Sequence, residues 1–306
     1  MKKQFPDLIL GTGMWGQTVS KSEAFLMLNK FYEAGFRRID TATNYPINKN
    51  PRDFRAAENI LCEWINTRKI NNLRIICKFG SVNNMFTPEH NLSKSFVLMN
   101  AQEYRNKFGD NAKTLMIHWD NRDDKSAITE TYEGLKIAEI SGWKIGLSGI
   151  KFPTLHAELN QDYKFDFLIE IKHNPFESSY EHYSPFHSNQ RRFIAYGTTG
   201  GGIKLDEKYS DSSSLILRNK LAENQKENIG KVKLILKKVN SNQERPKIEQ
   251  MFELGMINAS YHSEMQGIIL GCSRLEQLES SIAFYENLYQ FDYLDVYQEL
   301  TALKLP

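Results

Sequence analysis

Gly35-Phe-Arg-Arg-Ile-Asp40-Thr-Ala-Thr-Asn-Tyr45 reads as a short apolar strand that ends on a carboxylate, with a tyrosine five residues later. In α/β proteins ligands bind beyond the carboxyl ends of the strands. Asp40 therefore belongs at such a mouth and Tyr45 on the loop above it. A phenol titrates near 10, so it becomes a useful acid near neutral pH only if neighbours lower that value. The question is whether the chain also supplies a lysine and a histidine.

Both are present, in order. Lys78 ends Arg74-Ile-Ile-Cys-Lys78-Phe, a strand with few other places for a charge. A lysine is rarely buried without a partner, and Asp40 would hold its ammonium. Lys78 would then favour phenolate and lower the tyrosine pKa. Lys113 enters the next strand rather than ending it, and His118 ends that strand at the height of Asp40 and Lys78. Singly, a strand-end aspartate is a common loop cap and a lone histidine a common structural residue. Four such residues on three successive strand ends point to a shared site.

The rest of the chain gives the frame. Short β-branched runs at 8–10, 37–40, 74–79, 113–118, 144–148, 165–171, 192–196 and 267–270 alternate with helical patterns such as 24–34, 55–66 and 127–140. Ser22 is a plausible cap for the first helix and Gly35 its stop. Eight strands alternating with helices predict a parallel sheet, and at 306 residues a single-domain α/β protein, a (β/α)8 TIM barrel, is the leading form. An open doubly wound sheet competes. The segment from about 200 to 245 is irregular, with Ser210-Asp-Ser-Ser-Ser214 and a lysine-rich stretch from 221 to 238. It reads as a surface excursion with one or two solvated helices, or as a lid.

Gly11-Thr-Gly13-Met-Trp-Gly16 spells the G-x-G-x-x-G of a dinucleotide fingerprint. That fingerprint opens directly into its helix, whereas Gln17-Thr-Val-Ser-Lys21 intervenes here, and Met14 and Trp15 would crowd the turn. A tight bend atop the first barrel strand, with Trp15 facing a pocket, fits better.

Composition excludes other classes. With 39 basic and 37 acidic residues the net charge is +2, which gives no electrostatic case for nucleic acid. Cys62, Cys77 and Cys272 are too few and too scattered for a disulfide framework or a metal cluster. No signal-like segment opens the sequence and no apolar run approaches membrane-spanning length, so a cytoplasmic monomer or weak homo-oligomer without a membrane partner is expected.

At these residues the sequence resembles the aldo-keto reductase family over nearly its whole length. Asp40-Thr-Ala-x-x-Tyr45 and His118-Trp119 carry the match, with Ile145-Gly-Leu-Ser148, Asn174-Pro, Ala195-Tyr196-Gly and Ser273-x-x-x-Gln277-Leu in support. The resemblance implies a catalytic tetrad of Asp40, Tyr45, Lys78 and His118. It implies NADPH, with NADH as the alternative, extended across the C-terminal face, and reduction of a small-molecule aldehyde or ketone. Cofactor contacts are then expected from Gly13, Met14, Ser148, Gly149, Glu170, Tyr196, Gly197, Ser273, Arg274 and Gln277, with Trp15 and Trp119 walling the substrate pocket.

Departures from the family pattern all concern the cofactor. Gly149 stands where the family commonly has Asn, Glu170 where it has Gln, and Ser280 and Ser281 where Glu and Asn grip the adenine side. Gly271, Cys272 and Gln277 replace phosphate-binding residues, which leaves Arg274 as the cation for a 2′-phosphate. A cofactor-binding regulatory or scaffold subunit is therefore the alternative to an enzyme, and a barrel hydrolase using Asp40 and His118 a weaker one. Lys49, Arg52 and Arg55 near the mouth read as solvated charges or, if functional, would suit an anionic or phosphorylated sugar-like substrate.

Overall fold

The computed structural model describes residues 4–188, 190–209, 223–241 and 243–303. Eight parallel strands close into a barrel: β1 (Asp7–Gly11), β2 (Arg38–Ala42), β3 (Arg74–Phe79), β4 (Ala112–Asp120), β5 (Lys144–Ile150), β6 (Leu168–Asn174), β8 (Phe193–Tyr196) and β9 (Met265–Leu270). The two-residue β7 (Glu177–Ser178) folds back antiparallel on β6. Closure comes from β1 pairing with β9, Asp7 opposite Gly267, and from β5 pairing with β6. Parity decides which residues face inward. Ile9, Ile76, Met116, Ile194 and Ile269, each from a different strand, fill the barrel as a cluster separate from the main core. This interior is packed with apolar side chains, as a barrel of eight strands requires.

Outside the barrel lie α1 (Lys21–Glu33), α2 (Ala56–Arg68), α3 (Lys94–Phe108), α4 (Lys125–Ile140), α5 (Pro153–Tyr163), α6 (Glu223–Val239), α7 (Met251–Ser260), α8 (Leu275–Gln290) and α9 (Leu294–Ala302). The cap of α1 is Ser20, whose side chain accepts from the Glu23 amide. Ser22, expected in that role, lies inside the first turn because the helix begins earlier than its apolar periodicity suggests. Gly35 follows the helix at φ +92°, a left-handed turn that suits a residue without Cβ. Met27, Leu28 and Phe31 seal α1 against the barrel, each worth about 1.5–3 kcal/mol by burial.

The lysine-rich stretch is less solvated than its composition predicts. Helix α6 buries Ile229, Val232, Ile235, Leu236 and Val239 and packs on α9. Spaced at i, i+3, i+4 and i+7, these residues form one apolar stripe beneath the lysines. Arg245 ends the excursion, bonded to Asp295 at 2.5 and 2.7 Å with its guanidinium over the Tyr293 ring. The serine run 210–214 lies outside the described residues.

The glycine-rich segment after β1 forms a bend, not a helix start. Thr12 donates its amide to the Asp40 carbonyl, Trp15 donates back to Thr12, and Gly16 adopts φ +85°.

Candidate active site

Strands β2, β3, β4, β5 and β6 turn Asp40, Lys78, His118, Ser148 and Glu170 toward one another, with Asp40 opposite Ile76 and Lys78 opposite Met116 in the register. Ala42 pairs with Lys78, His118 with Ser148, and Ser148 with Glu170. All five are almost wholly buried. Lys78 Nζ lies 2.6 and 2.7 Å from the two oxygens of Asp40, the pairing expected from sequence. It also lies 2.8 Å from Glu170 Oε2, which accepts in turn from Ser148 Oγ at 3.2 Å.

Tyr45 sits above this pair. Lys78 Nζ is 5.2 Å from the centre of its ring, and the His118 ring stands edge-on at 5.8 Å. On the β1 side a Cβ at Gly13 would touch the Tyr45 ring at 3.7 Å, which places that expected cofactor residue against Tyr45. Met14 packs, partly buried, on the core beside it.

The electrostatics correct one expectation. Lys78 does pull the Tyr45 phenol down, by charge and by hydrogen bonding, but burial pushes it up more strongly, and Asp40 and Glu170 add to the rise. The phenol is therefore held neutral, with its proton in place. Burial, helped by Lys78, holds the His118 imidazole well below its usual range, so it too is neutral. The Asp40 carboxyl is pushed well above the usual carboxylate range, first by burial and then by Glu170, against the pull of Lys78. The Lys78 ammonium is favoured, because the two carboxylates outweigh the cost of burying it. Sequence alone missed the second carboxylate's effect. Glu170 lies 92 residues from Lys78, and only the closed barrel joins them.

The aromatic walls divide. Trp119, at φ +65°, is partly exposed, with its ring 4.8 Å from His118 and 6.0 Å from Phe86. Phe86, two-thirds exposed, forms an outer lip that carried no periodic signal. Trp15 does not face a pocket. It is fully buried in the core, and its indole N–H finds no acceptor among the described residues.

The remaining expected cofactor residues sit on the rim. Gly149, at φ +68°, has Trp119 Cδ1 2.5 Å from where a Cβ would stand, so Trp119 itself excludes the asparagine usual there. Tyr196, partly exposed, ends β8, and Gly197 follows at φ +63°. After β9, the Ser273 amide and hydroxyl both donate to Gln277 Oε1, and the Leu275 amide donates to Glu23. Free donors at the start of α8 are thus partly consumed, while Arg274 stays exposed. Ser281 hydrogen-bonds back to the Gln277 carbonyl and Ser280 to that of Glu276.

Of the charges near the mouth, Lys49 and Arg52 are exposed, but Arg55 is committed. It bonds Glu58 at 2.9 Å and also Glu103, and Glu58, fully buried, holds Lys107 at 2.9 Å as well. The Tyr104 hydroxyl stands 2.7 Å from both Glu58 Oε1 and the Lys78 carbonyl, tying this network to the strand that carries Lys78.

The sequence pattern of the Aldo/keto reductase family matches residues 7–300. The chain belongs to that family and is an oxidoreductase by descent. Among solved structures it is similar to aldo-keto reductase AKR11C1 from Bacillus halodurans, in its holo form, with a TM-score of 0.72 and 16% identity over 100% of this chain and 97% of that one. At that identity the likeness speaks for the barrel fold. No curated protein matches the chain.

Proposed function

We propose that this chain is a nicotinamide-dependent reductase that converts an aldehyde or ketone to its alcohol, with Tyr45 as the acid. The observation that carries the reading is the convergence of Asp40, Lys78, Tyr45 and His118 at the C-terminal mouth. Carbonyl reduction needs a proton donor beside the developing alkoxide. Burial raises the Tyr45 phenol and by itself makes it a weaker acid, whereas the Lys78 charge, 5.2 Å from the ring centre, opposes that rise and would stabilise the phenolate left behind. Neutral His118 can orient the carbonyl oxygen without competing for the proton.

A nicotinamide fits the residues present. Glu170 Oε1 is buried with no partner among the described residues, and a carboxylate oxygen can accept from a carboxamide NH2. Tyr196 offers a ring face at the adjacent strand end, and Ser148, Gly149 and Gly197 line the approach. When bound, the reduced nicotinamide supplies the hydride. Ser273, Arg274 and Gln277 would face the far end of the cofactor, with Arg274 as the cation for a 2′-phosphate, so NADPH is the preferred form. Trp119 with Phe86 would wall the substrate side.

The test is Tyr45→Phe, with turnover of aldehydes followed beside cofactor titration by tryptophan fluorescence. Loss of activity by orders of magnitude with cofactor affinity kept supports the assignment, and unchanged turnover sinks it. Tight cofactor binding with no turnover of any carbonyl would mark the chain as a cofactor-sensing subunit.

A further inference from the structure

The tetrad accounts for Asp40, Tyr45, Lys78 and His118, and the acceptor role given to Glu170 leaves its charge unexplained. Glu170 is 1% exposed. One of its oxygens bonds Lys78 and Ser148 and the other bonds nothing described. Lys78 therefore faces two carboxylates with one positive charge.

The other titratable groups around Glu170 do not redress the balance. On β2, Arg38 feels Glu170 but is paired with Asp7 at 3.3 Å. His118 on β4 is neutral. Tyr45 above β2, Tyr183 after β7 and Tyr196 on β8 all feel Glu170, and burial keeps all three phenols protonated. Two like charges on one buried ammonium cannot both ionise freely. Burial, and then the neighbouring Glu170, raise the Asp40 carboxyl well above its usual range, so Asp40 holds a proton until another positive charge arrives.

We infer that Glu170 is a specificity-determining residue: its carboxylate, surplus to Lys78, makes the pocket select the oxidised, positively charged nicotinamide over the reduced one and release a proton when it does so. The inference rests on the proposed function, because it assumes that the nicotinamide ring lies beside Tyr196 and the free Glu170 oxygen. Glutamine at this position would offer a carboxamide partner but no charge. The preference is therefore a property of Glu170 and not of the tetrad. Its consequence for turnover is a stronger hydride donor on the enzyme and slower release of the oxidised cofactor.

A unit charge a few ångströms from another in a buried site changes affinity by at least about tenfold. The experiment titrates the intact chain calorimetrically with oxidised and with reduced NADP, unaltered and as Glu170→Gln. The ratio of the oxidised to the reduced Kd is expected to rise about tenfold or more in the variant, mostly through weaker oxidised binding. A ratio unchanged within about twofold overturns the inference and leaves the functional reading standing. Absence of binding by either form in the unaltered chain overturns both.

Should Glu170→Gln not fold, the unaltered chain decides. Titration in two buffers of different ionisation enthalpy is expected to show close to one proton released with the oxidised form near neutral pH and none with the reduced form. Equal proton counts for the two forms overturn the inference.

Discussion

Lys78 Nζ stands 2.6 Å from Asp40 and 2.8 Å from Glu170, so the central cation of the site is held from two strands on different sides of the barrel. Either carboxylate alone can keep the ammonium paired. Asp40→Asn, which removes the acceptor of two bonds from Lys78, and Glu170→Gln, which removes that of one, are each expected to cost about 1.5–3 kcal/mol of stability. The double variant strands a buried ammonium and should cost about 3–5 kcal/mol beyond that sum. Urea unfolding of the four chains checks this, and simple additivity would show that the second carboxylate is idle.

Arg274 is exposed, with the neighbouring backbone donors already satisfied by Gln277 and Glu23. Arg274→Ala should weaken NADPH binding about tenfold, as expected for loss of a charged hydrogen bond to phosphate, and leave NADH binding within about twofold. Equal weakening of both would remove Arg274 from the 2′-phosphate role.

Acid should loosen the fold through its buried histidines. His173, between Ser178 and Asn258, is held by burial at a pKa of about 4, and His118 is shifted in the same direction. The unfolded chain binds these protons first, near pH 6.5, so stability falls as pH drops from about 6.5 towards 4. His173 alone contributes up to about 3 kcal/mol of that fall. Thermal melts of the unaltered chain and His173→Gln at pH 7.5 and 5 measure it; the variant should lose less on acidification, and a parallel loss would discard His173 as the cause.

Tyr104 has one proton for two acceptors. Tyr104→Phe leaves Glu58 Oε1 buried without that donor, which should cost about 1–3 kcal/mol and loosen the strand end that carries Lys78. Chemical denaturation gives the first, and hydrogen exchange at Cys77–Phe79 the second. No change in either would make the contact incidental.

Much of this was legible in the chain. Asp40, Lys78 and His118 each end an apolar run, and strand parity turned those positions inward. Trp15 was misplaced because a tryptophan beside glycines looks the same in sequence whether it faces a cleft or the core. Ser22 was misread because Ser20 and Ser22 are equally good caps and only the first hydrogen bond decides. The Tyr45 shift escaped because proximity to a lysine is visible in a motif, whereas the depth of burial that outweighs it is a property of the closed barrel. The pairing of Lys78 with Glu170 depends on that closure as well.

The pairing of Asp7 with Gly267 has a temporal meaning. During synthesis at about 5–20 residues per second, β1 waits on the order of tens of seconds for the strand that completes the ring. All four tetrad residues and Glu170 emerge in the first 170 positions. A nascent chain therefore carries every member of the proposed site long before the barrel closes, with one sheet edge open to strangers. What ripens this protein is the arrival of Met265–Leu270.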